Sequence, residues 1–211
     1  DLVHLISRLS KKEQQKLFTI LYPEDAATVM EELPEVQAID IIEDMERGNA
    51  AAIINEMMSD EQADIIMELQ DKDAEAILTE MNPEDAESVR KLIKYEYDTA
   101  GGLMITEFFR YVESITVKQV VNDLKKNAEK YQNYHVRYIY VVSKKGVFIG
   151  VLQMQDLLMA EPDQRLSEIV VKDVMAVNAN APLDEVSDLF DRYDFYGLPV
   201  IDNENKLIGV L

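Results

Sequence analysis

Residues 95–104 have the sequence Tyr-Glu-Tyr-Asp-Thr-Ala-Gly-Gly-Leu-Met, and the chain changes character on either side of this stretch. Short apolar groups recur on a fixed period before it, and strand-like and helix-like segments alternate after it. The paired glycines, Gly101 and Gly102, predict a turn because glycine reaches backbone conformations that are closed to other residues. The stretch therefore predicts a boundary between two domains, and from the residues alone a plain interdomain hinge is the simplest interpretation.

The chain is strongly acidic, with 41 Asp and Glu against 21 Lys and Arg in 211 residues, a net charge of −20. Residues 1–98 hold 25 of the acids and 9 of the bases, so most of the excess lies before the glycines. This balance argues against nucleic acid or an anionic membrane surface as a direct ligand. No apolar run approaches the roughly 18 residues that a membrane span needs. The absence of cysteine excludes disulfides and cysteine-ligated metals.

A 12-residue repeat runs from Leu5 to Ile93. One of its columns consists of Leu9, Leu21, Leu33, Met45, Met57, Leu69, Met81 and Ile93. Each unit places apolar residues at i, i+1 and i+4, which is one face of a helix. Helices of about two turns are marginal alone, so they must stack on neighbours. We expect a helical superhelix with an acidic outer ridge. Pro23, Pro34 and Pro83 suit first turns, and Ser10, Ser59 and Asn82 suit caps.

The second half contains a tandem repeat of about 60 residues. Residues 139–152 align without a gap to residues 198–211, and both segments end in Ile-Gly-Val-Leu. In each copy a helix precedes two strands that are joined by a polar turn, and a helix over 153–160 closes the first copy. The second copy stops at the equivalent of Leu152, so we expect the natural protein to continue beyond it.

These features together carry a family resemblance. The chain closely resembles the cytosolic region of the MgtE family of magnesium channels. The resemblance lies in the segment Asp98-Thr99-Ala100-Gly-Gly-Leu-Met and in its position between an acidic helical domain and a β/α repeat pair. Residues 105–211 resemble a pair of CBS domains. The resemblance implies an α + α/β fold class. It divides the chain into an all-helical superhelical N domain (1–98), a Gly-Gly junction (99–104), a first CBS domain (105–162) and a truncated second CBS domain (163–211).

The resemblance also implies a function. The chain would be the magnesium-sensing regulatory region of a magnesium channel or transporter, on the cytoplasmic side of the membrane. It would form a homodimer and act on the transmembrane pore domain of the same protein. Mg²⁺ would bridge the acidic N domain and the CBS domains, and the compacted dimer would favour a closed pore.

Four aspartates match the magnesium ligands that the family implies. Asp60 and Asp64 lie one turn apart on the helical side, Asp194 is their partner in the second CBS copy, and Asp184 matches another interface carboxylate. Magnesium needs only one or two carboxylates because it keeps most of its waters, so such sites leave little trace in a sequence. A glutamate expected near residue 28 is absent here. On the residues alone, each aspartate is a solvated charge on a helix face.

Adenine nucleotide, with ATP as the candidate, is the second ligand that the resemblance implies. Asp156, in Gly150-x5-Asp156, matches the ribose-binding acid of CBS pairs. Tyr138 and Phe195 match positions that flank the adenine, and Pro199 lies beside them. Gln153 departs from the pattern, since many CBS domains carry a phosphate-binding serine or threonine there. From the residues alone, Tyr138 and Phe195 are ordinary core residues at strand ends.

No catalytic constellation is present in the sequence. It lacks a phosphate-cradling glycine loop, a nucleophile elbow and paired histidines at ligand spacing, so we expect a protein that is not an enzyme. Two alternatives to the magnesium sensor remain open. One is a CBS-type adenine-nucleotide sensor with a helical adaptor domain. The other is a scaffold similar to flagellar motor-switch proteins, which the helical half resembles more weakly.

Overall fold

The computed structural model describes residues 5–131, 134, 137–193 and 195–211. The chain forms two compact units, Asp1–Lys94 and Tyr95–Leu211. Among the described residues, no helix combines the length and the apolar character that crossing a membrane requires.

Seven helices build the described part of the first unit. They are α1 (Lys11–Ile20), α2 (Pro23–Glu31), α3 (Glu35–Glu43), α4 (Arg47–Ile54), α5 (Ser59–Glu68), α6 (Asp71–Glu80) and α7 (Pro83–Leu92). Each helix begins 12 residues after the one before it, as the repeat predicts. Each helix packs on the second helix after it in the chain: α1 on α3, α2 on α4, α3 on α5, α4 on α6 and α5 on α7. Since each helix is short, this packing supplies most of its stability.

The repeat columns form the core of the helical unit. One fully buried column consists of Ile6, Phe18, Met30, Ile42, Ile54, Ile66 and Leu78. Its next member is Arg90, whose guanidinium pairs with Glu75 at 2.6 Å across the surface instead of entering the core. A further column of the repeat has alanine at residues 26, 38, 50, 74 and 86. At residue 62 this column has Gln62, which is buried and donates from Nε2 to the Met57 carbonyl at 2.7 Å. Because that buried amide has a partner, the exception is tolerated.

Two of the expected helix-start positions are wrong by one residue. Pro34 is the N-cap of α3 and not a first-turn residue. Ser59 is the first residue of α5 and is buried, while Met58 holds the N-cap position. Pro23 and Pro83 open α2 and α7 as expected. An N-cap has extended backbone angles, which proline adopts as readily as a first-turn conformation.

The described part of the second unit contains two small mixed sheets. Its strands are β1 (Phe109–Val112), β2 (Tyr138–Val142), β3 (Phe148–Gln153), β4 (Val171–Lys172), β5 (Val177–Asn178), β6 (Pro199–Ile201) and β7 (Leu207–Val210). Its helices are α8 (Val117–Lys126), α9 (Ala128–Tyr131), α10 (Met154–Met159), α11 (Leu166–Ile169) and α12 (Leu183–Arg192).

Strands β1 to β3 of the first sheet and strands β5 to β7 of the second share one topology. The first has the order β1-β2-β3-β4, with β1 parallel to β2 and the remaining pairs antiparallel. The second has the order β5-β6-β7, in which β5 is parallel to β6 and β6 is antiparallel to β7. The tandem repeat of the sequence is thus a repeat of structure. Isolated bridges join the sheets, Ile105 to Val210 and Val147 to Lys206.

The Gly-Gly stretch is folded onto the second repeat. The N–H groups of Ala100 and Gly101 donate to the carbonyls of Ala181 and Ala179, both at 2.8 Å. A Cβ on Gly101 would lie 2.4 Å from the Tyr95 ring, and one on Gly102 would lie 2.4 Å from the Glu96 carbonyl oxygen. Glycine is required here by close approach, so the stretch is an ordered turn and not a loose hinge.

Candidate cation and nucleotide sites

Helix α5 places Asp60 and Asp64 on one face, because residues four apart are one turn apart. Both side chains are half-buried. Asp60 Oδ1 accepts from the Glu61 N–H at 2.9 Å, as first-turn carboxylates commonly do. Burial raises the pKa of Asp60 above its usual range. Burial, with Asp60, Glu35 and Glu68 nearby, raises the pKa of Asp64 to about 6.

Asp64 also lines a cavity of about 200 Å³ between α5 and the region where α2 meets α3. The lining residues are Met30, Glu31, Leu33, Glu35, Ala38, Met57, Glu61, Asp64 and Ile65. Four of them are carboxylates and the remainder are apolar, so like charges meet in a partly dry space. Burial is the largest cause that raises the pKa of Glu61 to about 8, and the neighbouring Glu31 is the next.

The described residues do not bring three Asp, Glu or His side chains together closely enough to enclose a metal ion. Asp60 and Asp64 fit the needs of a hydrated divalent cation, which requires oxygen ligands and only one or two carboxylates. The helical unit can therefore offer part of a ligand set. The partners that the sequence suggests lie in other parts of the chain.

Glu61 is expected to make the unfolding free energy of the helical unit depend on pH. The unfolded chain releases this proton near pH 4.5 and the folded chain near pH 8, so the folded state becomes less stable as pH rises between those values. Glu61→Gln removes this penalty. Because the side chain is partly exposed, screening limits the gain at pH 8 to about 1–2 kcal/mol. Thermal unfolding at pH 4.5 and at pH 8, in EDTA, measures it.

Glu80→Gln is the matched control for this prediction. Glu80 ends α6 and is exposed, so its substitution removes one charge from the same unit without changing the cavity. We expect a pH-dependent gain in stability for Glu61→Gln that exceeds the gain for the control. Equal shifts in both variants would show that general charge repulsion, and not burial of Glu61, sets the pH response.

The two other expected metal ligands belong to the second unit. Asp184 is exposed in the first turn of α12. Asp194 lies outside the described residues. Its assignment therefore stays a prediction from the sequence.

A second cavity, of about 230 Å³, lies within the second unit. It is lined by Arg137, Tyr138, Gln153, Met154, Gln155 and Tyr196. Of the four residues expected to hold a nucleotide, Tyr138 lines this cavity. Asp156 follows Gln155 in the first turn of α10 and is exposed. The cavity thus draws on both CBS-like copies.

The remaining two expected nucleotide residues border this region in sequence. Phe195 precedes Tyr196 and packs its ring 5.5 Å from Tyr193 and 6.4 Å from Phe190. Pro199 is buried at the start of β6. Neither lines the cavity among the described residues. Of the four predicted residues, Tyr138 is therefore the one that lines the cavity in the described part of the chain, and the nucleotide assignment stays a prediction.

Several residues of the two cavities gave no signal in the sequence. Glu61 shares its repeat position with Glu13 and Asp25, which are exposed, so the repeat does not predict its burial. Arg137 and Tyr196 are 59 positions apart in the sequence. Their proximity follows from the pairing of the two copies, which no local pattern encodes.

Family models match two parts of the chain. The family model described as the MgtE intracellular N domain matches residues 1–98, and the CBS domain model matches residues 166–211. The magnesium transporter MgtE of Thermus thermophilus is 40% identical over 123 residues, which cover 58% of this chain and 27% of that protein. The chain therefore spans only about a quarter of the length of this curated relative.

Two solved structures resemble the whole chain. A crystal structure of the cytosolic domain of the Mg²⁺ channel MgtE in complex with ATP is 30% identical, with a TM-score of 0.89 over 100% of this chain and 85% of that chain. A crystal structure of the soluble part of a magnesium transporter is 27% identical, with a TM-score of 0.85 over 99% of this chain and 81% of that chain. The predicted fold class, an acidic helical domain followed by CBS-type α/β repeats, is confirmed.

Proposed function

Because the chain belongs to the MgtE family and carries its cytosolic region, we propose that it is the magnesium-sensing regulatory region of a magnesium channel or transporter. The division into an N domain (1–98), a junction (99–104) and two CBS copies (105–162 and 163–211) is part of this proposal. The proposal also includes a regulatory role for the chain, without catalysis.

The observation that carries the proposal is the carboxylate-lined cavity beside helix α5. Glu31, Glu35, Glu61 and Asp64 share one small space. Between residues 20 and 89, Arg47 and Lys72 are the only Lys or Arg residues, and the Arg47 guanidinium already pairs with Asp73 at 2.8 Å. The raised pKa of Glu61 means that this carboxyl keeps its proton at neutral pH, since burial disfavours its charge and, among the described residues, no nearby cation offsets the charge of its neighbours. A divalent cation supplies the compensation that the chain lacks.

The proposed mechanism is a switch that depends on cation concentration. At low magnesium, the N domain and the acidic residues of the CBS pair repel one another. At high magnesium, Asp60 and Asp64 share bound Mg²⁺ with Asp194, Asp184 contributes at an interface, and the homodimer compacts. An ion at ten times its dissociation constant stabilises the form that binds it by about 1.4 kcal/mol, so several weak sites give a steep response.

The pore and the nucleotide belong to the same proposal. In the full-length protein, compaction favours closure of the transmembrane pore domain, on whose cytoplasmic side this region lies. ATP bound in the second unit modulates the switch. The ATP complex of a related cytosolic domain supports this part, and so does the cavity that Tyr138 lines.

The triple variant Asp60→Asn, Asp64→Asn, Asp194→Asn tests the site assignment. Trypsin cleavage after Lys91 and Lys94, both exposed near the boundary between the units, reports on closure. In the natural sequence we expect millimolar Mg²⁺ to slow this cleavage by about tenfold, the effect of one ion at ten times its dissociation constant. We expect the triple variant to lose the effect because asparagine coordinates the ion weakly and carries no charge.

The matched control is Asp25→Asn, Asp71→Asn, Asp188→Asn, which removes the same charge from exposed positions. It should keep the magnesium response. If the first variant keeps it as well, the ligand assignment is wrong.

A free-standing adenine-nucleotide sensor is the second candidate, favoured by the cavity between the CBS-like copies. It predicts binding of adenosine phosphates with little response to divalent cations. Trypsin protection by ATP in EDTA, together with no protection by Mg²⁺, would favour this candidate over the magnesium sensor.

A further inference from the structure

In the described part of the chain, the cavity of the second unit is lined by one positively charged side chain and several uncharged ones. Among the described residues that line it, Arg137 is the only one with a charged side chain. The others offer two tyrosine rings, a methionine and the amides of Gln153 and Gln155. Aromatic faces suit a planar base, and a guanidinium suits a phosphate. The chemistry of the lining therefore fits a ligand that carries both groups.

Arg137 is held in place by Tyr196 from the second copy. The guanidinium carbon lies 4.3 Å from the centroid of the Tyr196 ring, a cation–π contact. A guanidinium that lies over an aromatic ring does not need its N–H groups for that contact, so they stay available for hydrogen bonding. Those N–H groups form the fork that binds phosphate in a bidentate manner. Tyr196 thus orients the guanidinium without occupying its donors.

Gly197 keeps Tyr196 close to the first copy. A Cβ on Gly197 would lie 2.8 Å from the Tyr140 hydroxyl and 3.8 Å from the Tyr138 ring. Tyr140 is fully buried, and within the described part of the chain its hydroxyl has no hydrogen-bond partner. Since a side chain at residue 197 would collide with the Tyr140 hydroxyl, glycine allows residue 197 to lie against strand β2. The Tyr196 ring, which is 68% exposed, thus reaches Arg137 from the residue next to this close contact.

We propose that Arg137 is the phosphate-binding residue of an adenine-nucleotide site in this cavity, and that Tyr196 is a positioning residue for its guanidinium. This inference rests on the nucleotide part of the proposed function. Tyr138 offers a ring to the base, and Gln153 and Gln155 offer amides to the sugar and phosphate. Arg137 provides the positive charge that Gln153, in place of a serine or threonine, does not.

Calorimetric titration of the whole chain with ATP, AMP and adenosine, in EDTA, tests the assignment. We expect Arg137→Gln to weaken ATP and AMP about tenfold, while adenosine affinity changes by less than twofold. Tyr196→Ala should weaken ATP severalfold, and Tyr196→Phe should retain the affinity because it keeps the ring. Arg110→Gln, which removes an exposed positive charge from strand β1, is the matched control and should leave all three affinities unchanged.

Three results would overturn the inference. They are an equal loss of ATP and adenosine binding in Arg137→Gln, no loss of either ligand, or a loss of ATP binding in the Arg110→Gln control that matches Arg137→Gln. Near-ultraviolet circular dichroism of the tyrosines verifies that each variant is folded. If no nucleotide binds the natural sequence while magnesium still protects Lys91 and Lys94, the nucleotide site fails and the magnesium switch stands. If nucleotide binding depends on Arg137 while magnesium has no effect, this inference stands and the switch fails.

Discussion

Replacing Ile54 by alanine is expected to lower the free energy of unfolding of the helical unit by about 2–5 kcal/mol. Ile54 ends α4 and has 0% exposed surface. Alanine removes three carbon atoms and leaves a cavity, because the stacked helices on either side constrain how far the site can collapse. Since every short helix depends on its neighbours, the loss spreads along the stack.

Urea unfolding followed at 222 nm measures the loss of helix in this variant. Near-ultraviolet signals report mainly on the second unit, because Tyr22 is the only one of the 10 tyrosines in residues 1–94. Ile20→Ala is the control with the same change of side chain at a position that is 71% exposed. Its effect should stay below about 0.5 kcal/mol. Similar losses for both variants would contradict the stacked core.

Gly150→Ala is the second prediction with a large effect, and it concerns the first sheet. A Cβ at residue 150 would lie 2.0 Å from the carbonyl oxygen of Val171 in β4. Gly150 pairs with Lys172 across β3 and β4, so backbone, and not a flexible side chain, must move. We expect β4 to detach and the second unit to lose about 3 kcal/mol. Hydrogen exchange of peptides that contain β3 and β4 localises the change.

Gly48→Ala is the control for that substitution. Gly48 lies in α4, where the atom nearest to an added Cβ is the Glu46 carboxylate oxygen, at 3.2 Å. A side-chain end can shift, and alanine favours helix over glycine by about 1 kcal/mol, so this variant should be neutral or more stable than the natural sequence. Unchanged exchange at β3 and β4 in Gly150→Ala would contradict the close pairing of these strands.

The repeat pattern was informative because the helical unit is periodic. A 12-residue period fixes the starts of the helices and the buried columns, and both appear where the sequence predicts them. The errors, at Pro34 and Ser59, are single-residue shifts at helix ends, where several residue types satisfy the same backbone. Strand β4 gave no signal, since two residues are too few to show alternation.

The candidate sites were less predictable for a physical reason. Asp60 and Asp64 could be proposed because they match positions that the MgtE resemblance implies, and not because their spacing in the sequence indicates a site. The burial of Glu61 beside Glu31 depends on how α5 packs near the end of α2. The contact of Arg137 with Tyr196 depends on the pairing of two copies far apart in the sequence. Such contacts are products of tertiary structure, and their residue types also occur on ordinary surfaces.

The most direct test of the magnesium switch is limited trypsin digestion of the unmodified chain across a magnesium titration, with sodium at matched ionic strength. The rate to follow is cleavage after Lys91 and Lys94. We predict that millimolar Mg²⁺ slows it by about tenfold and that sodium does not. Equal cleavage at every magnesium concentration would show that the acidic residues are only solvated surface charges. That result would contradict the proposed function.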